Sequence, residues 1–172
     1  CAKPPEELMK ATGDALSAAK SAQADLYAGD ALAKAQALMN EADALKKAQD
    51  DKFALFRSYK DVQAKFEEAK AAFAAAQTAA VEGKAQKKAE AETKVQEATT
   101  ALDAAEAALK TAPKSKDTKA DLEAFANDIM TYRQTLSEAQ AGLASEDYLG
   151  TINKADSVNQ KQPLTGSRSR PS

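Results

Sequence analysis

The chain has 172 residues, with 24 basic and 26 acidic side chains, a formal charge of −2, and neither histidine nor tryptophan. Its 42 alanines sit among lysine, glutamate, glutamine and leucine, and its only β-branched aliphatics are Val62, Val81, Val95, Val158, Ile129 and Ile152, so the fold class is all-α with no sheet. Alternating charge excludes a field suited to gripping nucleic acid, no run approaches the roughly 20 apolar residues of a membrane-spanning helix, and a single cysteine excludes an internal disulfide.

The first stretch, Cys1-Ala2-Lys3-Pro4-Pro5, is the one segment that points to a cellular address. In lipoprotein maturation a cysteine sulfur takes a diacylglycerol, the signal peptide is removed just before it, and the new amine is acylated. Cys1 is therefore the expected lipid attachment site, with residues 1–4 as a short polar tether. Ala2 is not the aspartate that retains lipoproteins in the inner membrane of enteric bacteria, which favours the outer membrane, on its periplasmic side or at the cell surface. Three fatty chains hold a protein stably, because each buried methylene contributes about 0.8 kcal/mol.

Pro4 and Pro5 suit a first helical turn, and Glu6 and Glu7 complement its dipole. The spacing predicts a helix from about Pro5 to Tyr27 with a seam of Leu8, Thr12, Ala15, Ala19, Ala22 and Leu26. Gly29-Asp30 reads as a stop and a new N-cap, after which Ala35, Leu38, Ala42 and Leu45 share one face as far as Gln49. The next seam is Leu55, Tyr59, Val62, Phe66, Ala69, Phe73, Ala76 and Ala80, widened at its start by Phe53 and Phe56. A further seam, Val95, Ala98, Leu102, Ala105 and Leu109, follows one residue out of phase, with Gly83 in the gap. Either the chain turns at Glu82-Gly83-Lys84 or one long helix crosses the phase shift.

Pro113 ends that helix, and Lys114-Ser115-Lys116-Asp117 forms a polar loop. A helix from about Thr118 to Ala141 carries Leu122, Phe125, Ile129, Tyr132, Leu136, Ala139 and Leu143, and a shorter one carries Tyr148, Ile152, Ala155 and Val158. Residues 161–172 have no periodicity and three positive charges, and are expected to be a disordered basic tail. The helical domain thus spans 5–160 as antiparallel hairpins over about 5–49, 51–112 and 118–160.

At an offset of 120 the chain pairs Leu16 with Leu136, Ser17 with Ser137, Ala19 with Ala139, Leu32 with Ile152, Lys34 with Lys154 and Ala35 with Ala155. A weaker third copy, Gly29 to Ala35 against Gly83 to Ala89, favours a turn at Gly83 and a stacked array. The stretch Ala15 to Gln77, with its Leu26-Tyr27-Ala28-Gly29-Asp30 turn and alanines every three or four residues, resembles an alanine-rich bacterial envelope domain family of uncharacterised function (domain of unknown function 4398). That family is often found directly after a lipoprotein cysteine. The resemblance implies an exported lipoprotein with tetratricopeptide-like helical hairpins. Some members precede an OmpA-like peptidoglycan-binding domain, but this all-helical chain shows none, so peptidoglycan binding does not carry over.

Catalytic chemistry is poorly served. There is no histidine for a triad, the only thiol is Cys1, and no phosphate-binding glycine loop or calcium-loop spacing occurs. Asp50-Asp51, Glu67-Glu68 and the Glu90, Glu92 pair read as solvated helix surface, as do Lys84, Lys87, Lys88 and Lys94 with the acids among them. No enzyme activity, metal or cofactor is expected. Phe53, Phe56, Tyr59, Phe66 and Phe73 read first as core, filling layers between alanines, and second as a groove for a lipid or partner helix. The expected function is a membrane-anchored envelope scaffold or protein-interaction module. Its partners are the membrane, through lipidated Cys1, and an envelope protein. The alternatives are a carrier of lipid or another small hydrophobic ligand, and a surface adhesin or antigen.

Overall fold

Helix-forming composition governs the whole chain: a computed structural model describes residues 3–161 and contains no strand among them. The helices are α1 (Glu6–Ser21), α2 (Ala24–Tyr27), α3 (Gly29–Asp50), α4 (Lys60–Thr111), α5 (Lys119–Ala144) and α6 (Tyr148–Lys161), with a 3-10 turn at Ala54–Phe56. Cys1 and residues 162–172, which hold most of the predicted tail, lie outside the described residues.

The fold divides after Ala85 into two units. In the first, alanines from four helices meet: Ala19 of α1, Ala24 of α2, Ala35 of α3, and Ala69, Ala76 and Ala80 of α4 are all fully buried around Phe73 and Leu32. A second cluster packs Ala42, Tyr59, Val62 and Phe66 against Leu8, Met9 and Met39. Thr12, predicted on the apolar seam, is buried there; its hydroxyl donates to the Leu8 carbonyl at 2.8 Å and lies 3.3 Å from the Phe66 carbonyl of α4. In the second unit, Val95, Ala98 and Leu102 of α4 pack with Leu136 and Ala139 of α5 and Ala155 and Val158 of α6.

The predicted helix from Pro5 to Tyr27 is broken. Gln23 takes a left-handed conformation (φ 60), which ends α1 and turns the chain so that Ala24 is buried while Leu26 stays 54% exposed. Glu146 (φ 64) makes the equivalent break between α5 and α6. Glutamine and glutamate carry none of the preference for this region that marks a glycine or asparagine stop. The offset-120 echo therefore falls on two similar arrangements. Ala19 and Ala139, Leu32 and Ile152, and Ala35 and Ala155 are buried in their respective units.

The predicted hairpin over 51–112 is not formed: α4 runs unbroken for 52 residues and Gly83 lies within it. Gly83 serves close approach instead of a turn, since a Cβ there would lie 2.6 Å from the Tyr27 carbonyl oxygen. Between the two seams the buried positions step from Ala80 to Ala91, eleven residues, which a helix covers in about three turns without a break. The third, weaker sequence copy beginning at Gly83 consequently has no hairpin of its own.

Gly13 and Gly83 are both helical, yet the same substitution should act on them with opposite sign. Nothing stands within 4 Å of a Cβ at Gly13, so Gly13→Ala should stabilise by about 0.5–1 kcal/mol through helix propensity. Gly83→Ala forces backbone apart and should destabilise by about 1–3 kcal/mol. Urea unfolding of the two variants beside the parent chain checks both signs.

Candidate functional site

The feature that core packing does not absorb is the connection between α3 and α4. The Asp51 and Lys52 amides close the end of α3 on the Lys47 and Gln49 carbonyls at 3.0 and 3.1 Å. Phe53 and Arg57 are extended and flank the 3-10 turn, closed by the Phe56 amide on the Phe53 carbonyl at 2.9 Å. Arg57 spans the base: Nη2 donates to the Asp50 carbonyl at 2.7 Å and Nε to the Lys52 carbonyl at 2.9 Å. A cation on the last carbonyls of a helix both satisfies orphan acceptors and opposes the negative end of its dipole. The Ser58 amide adds a bond to Gln49 Oε1 at 3.1 Å.

Below this brace, the Tyr59 hydroxyl donates to Asp50 Oδ1 at 2.5 Å, and Lys46 Nζ donates to Asp50 Oδ2 at 2.6 Å. The bonds from Lys46 and then Tyr59 hold the Asp50 carboxyl below its usual range. Bonding to Asp50 likewise raises the Tyr59 hydroxyl. Asp50, read from sequence as solvated, is thus a buttress of the loop. The pairing with Lys46 at i,i+4 is local, but nothing in the pattern marks the bond to Tyr59, which lies nine residues on and across a bend.

The brace leaves three large apolar side chains in solvent: Phe53, Leu55 and Phe56 are 70%, 78% and 75% exposed. The two rings sit 6.4 Å apart, tilted by 51°. The predicted aromatic stripe therefore divides. Tyr59, Phe66 and Phe73 are core, whereas Phe53 and Phe56, together with Leu55, are not. The heptad spacing does not hold before Tyr59, since α4 begins only at Lys60 and residues 53–57 form an extended segment and a 3-10 turn.

The N-terminal segment reaches the same end of this unit. Lys3, Pro4, Pro5, Glu6, Glu7 and Leu8 line an open cleft of about 620 Å³ with Tyr59, Lys60 and Gln63. The Glu6 amide bonds back to the Pro4 carbonyl at 2.9 Å, and Leu8 and Met9 pack against the Tyr59, Val62 and Phe66 cluster, whereas Lys3 is exposed. Cys1 lies outside the described residues.

No protein-family model, curated protein or solved structure matches the chain.

The other candidates behave as helix surface or struts. Lys87 and Lys88 pair with Glu90 and Glu92, Glu67 pairs with Lys70 and Glu68 with Lys65. Lys94 reaches Asp156 of α6 at 2.6 Å, a cross-helix strut. Arg133 of α5 grips Asp103 and, through Nε at 2.7 Å, Glu106 of α4; these bonds raise the guanidinium and hold the Glu106 carboxyl below its usual range. A second cleft of about 680 Å³, at the α4–α5 turn, combines Leu109 and Leu122 with Lys110, Lys114, Lys116 and Lys119. Among the described residues no three potential metal ligands gather, and no helix is long and apolar enough to cross a membrane.

The Asp50–Tyr59 bond sets a pH window for the loop. A depressed carboxyl contributes stability that is present above its ordinary pKa and lost as pH falls through the folded value; a raised tyrosine contributes stability that is lost as pH rises through its folded value. The urea midpoint of the parent chain should exceed that of Tyr59→Phe most between about pH 5 and pH 9, and the gap should narrow on both sides. A gap that is flat across the whole range contradicts the assignment.

Proposed function

We propose that the protein is a non-enzymatic scaffold of the bacterial envelope, anchored to the membrane through acylated Cys1 and presenting its helical body to a protein partner. The observation that carries this reading is how the N-terminal segment docks. Pro4 and Pro5 are half-buried, and Leu8 and Met9 join a core cluster with Tyr59, Val62 and Phe66. An anchor at Cys1 would therefore be joined to the packed end of the body through the three residues before Pro4. The resemblance of Ala15 to Gln77 to an envelope lipoprotein domain points the same way.

The interior supports a structural role. Among the described residues the buried polar ones, Thr12 and Thr151, spend their hydroxyls on backbone carbonyls: Thr151 bonds Asp147 at 2.7 Å and lies 3.2 Å from the Ala139 carbonyl. Alanine seams bring backbones close and favour stiff helices with modest cores, a design suited to holding a surface in place. The ion pairs between helices, such as Lys94 with Asp156 and Arg133 with Glu106, fix orientation more than they add stability.

The native protein should fractionate with membranes and carry an N-terminal mass matching acylated Cys1, and Cys1→Ser should release it to the soluble fraction. An unmodified Cys1 in a soluble native protein contradicts the reading. Crosslinking from intact membranes then identifies the partner.

A further inference from the structure

We propose that the braced loop tip Phe53-Ala54-Leu55-Phe56 is a second membrane contact, inserting its three large apolar side chains into the lipid surface to which Cys1 is anchored. The proposal rests on the membrane-anchored reading above and deepens it from a tether to a two-point attachment.

Scattered exposed apolar residues need no explanation, but Phe53, Leu55 and Phe56 fall within four positions and are each at least 70% exposed. Their exposure is built in. Arg57 holds the loop base on the Asp50 and Lys52 carbonyls, and Asp50 bonds Tyr59, so the side chains have no route into the Phe66 cluster without breaking these bonds. A preformed tip also spares the ordering cost of inserting a flexible segment.

Placement names the occupant. Tyr59 and Lys60, three and four residues after Phe56, share a cleft with Lys3, Pro4 and Pro5. Lys3 stands at the tip's end of the unit, and Cys1 is two residues before it in sequence, a chain length of at most about 7 Å, so on the anchored reading the tip and the acyl chains face one lipid surface. The charges near the tip nearly cancel, with Lys52, Arg57 and Lys60 against Asp51 and Asp61. Apolar burial must therefore drive insertion, and neutral lipid should serve about as well as anionic lipid.

The absence of tryptophan makes the test clean, because each introduced tryptophan reports alone. Two reporters suffice: Phe56→Trp in the tip and Leu26→Trp at the other end of the unit, where Tyr27 meets Gly83. Lys60 and Gly83 are separated by about 35 Å along α4. The full acylated chain is reconstituted in phosphatidylethanolamine–phosphatidylglycerol vesicles with brominated acyl chains. Phe56→Trp emission should shift to the blue and fall at least about twofold, because interfacial insertion reaches about 5–10 Å below the headgroups. Leu26→Trp should not respond. For the unacylated Cys1→Ser chain, adding Phe53→Asp should weaken partitioning into excess vesicles at least about tenfold.

An unquenched Phe56→Trp on bound, acylated protein overturns the tip and leaves the anchor standing. If native Cys1 proves unmodified, the anchor fails, and quenching of the unacylated Phe56→Trp chain in excess vesicles alone decides the tip. Self-association without lipid that Phe53→Asp abolishes, together with an unquenched tip, assigns the patch to a second copy of the chain and overturns the proposal.

Discussion

The carbonyl oxygen of Tyr27 stands where a side chain on residue 83 would have to be, 2.6 Å from an ideal Cβ. That contact states the constraint on which the first unit is built, since its helices meet nearly backbone to backbone. Ala19, Ala24, Ala35, Ala69, Ala76 and Ala80 are all fully buried, and Phe66 and Phe73, with Leu32, Tyr59 and Val62, supply bulk between these layers. Close approach multiplies dispersion contacts while burying little area per residue. Such a seam has little room to accept a larger side chain, which is why Gly83 belongs to packing although it resembles a breaker.

The second unit uses the same devices with different residues. A left-handed Glu146 separates α5 from α6 as Gln23 separates α1 from α2, and Thr151 buries its hydroxyl on backbone carbonyls as Thr12 does. Gly142 again permits close approach, with Thr151 Oγ1 2.7 Å from where its Cβ would be. Cross-helix charges differ: Lys65 reaches Glu41 in the first unit, whereas Arg133 and Lys94 bridge helices in the second. The repeated features are therefore backbone breaks and small residues, while the ion pairs are particular to each unit.

Much of this was legible in the residues. The seam from Tyr59 to Ala80 is buried as predicted, α4 ends two residues before Pro113, and Tyr148, Ile152, Ala155 and Val158 line the core face of α6. The break at Gln23 was not legible, because tertiary packing imposes a left-handed backbone on a residue with no preference for it; the break between α5 and α6 was legible, and only the left-handed Glu146 that makes it was not. Gly83 was ambiguous because a glycine for a turn and a glycine for close approach look alike in sequence. The tip was hidden by its own pattern. Phe53, Leu55 and Phe56 continue the apolar run of α4, and only Arg57 reaching back over five and seven residues lifts them out of it. Arg57 itself carried no signal beyond a cation shortly after a helix end.

For the proposed function, the end of the first unit that holds Lys3, Tyr59 and the loop tip matters more than any single residue, because the N-terminal segment and an exposed apolar turn meet there. The first unit in turn depends on α4 continuing as helix through Gly83, which packs on Tyr27 and does not turn. Amide hydrogen exchange over residues 79–88 tests this most directly. Slow exchange through Gly83 and Lys84, matching the protection of the α4 segment at 69–76, is the predicted result. Rapid exchange confined to Glu82, Gly83 and Lys84 would mean that the chain turns there, and would contradict the account.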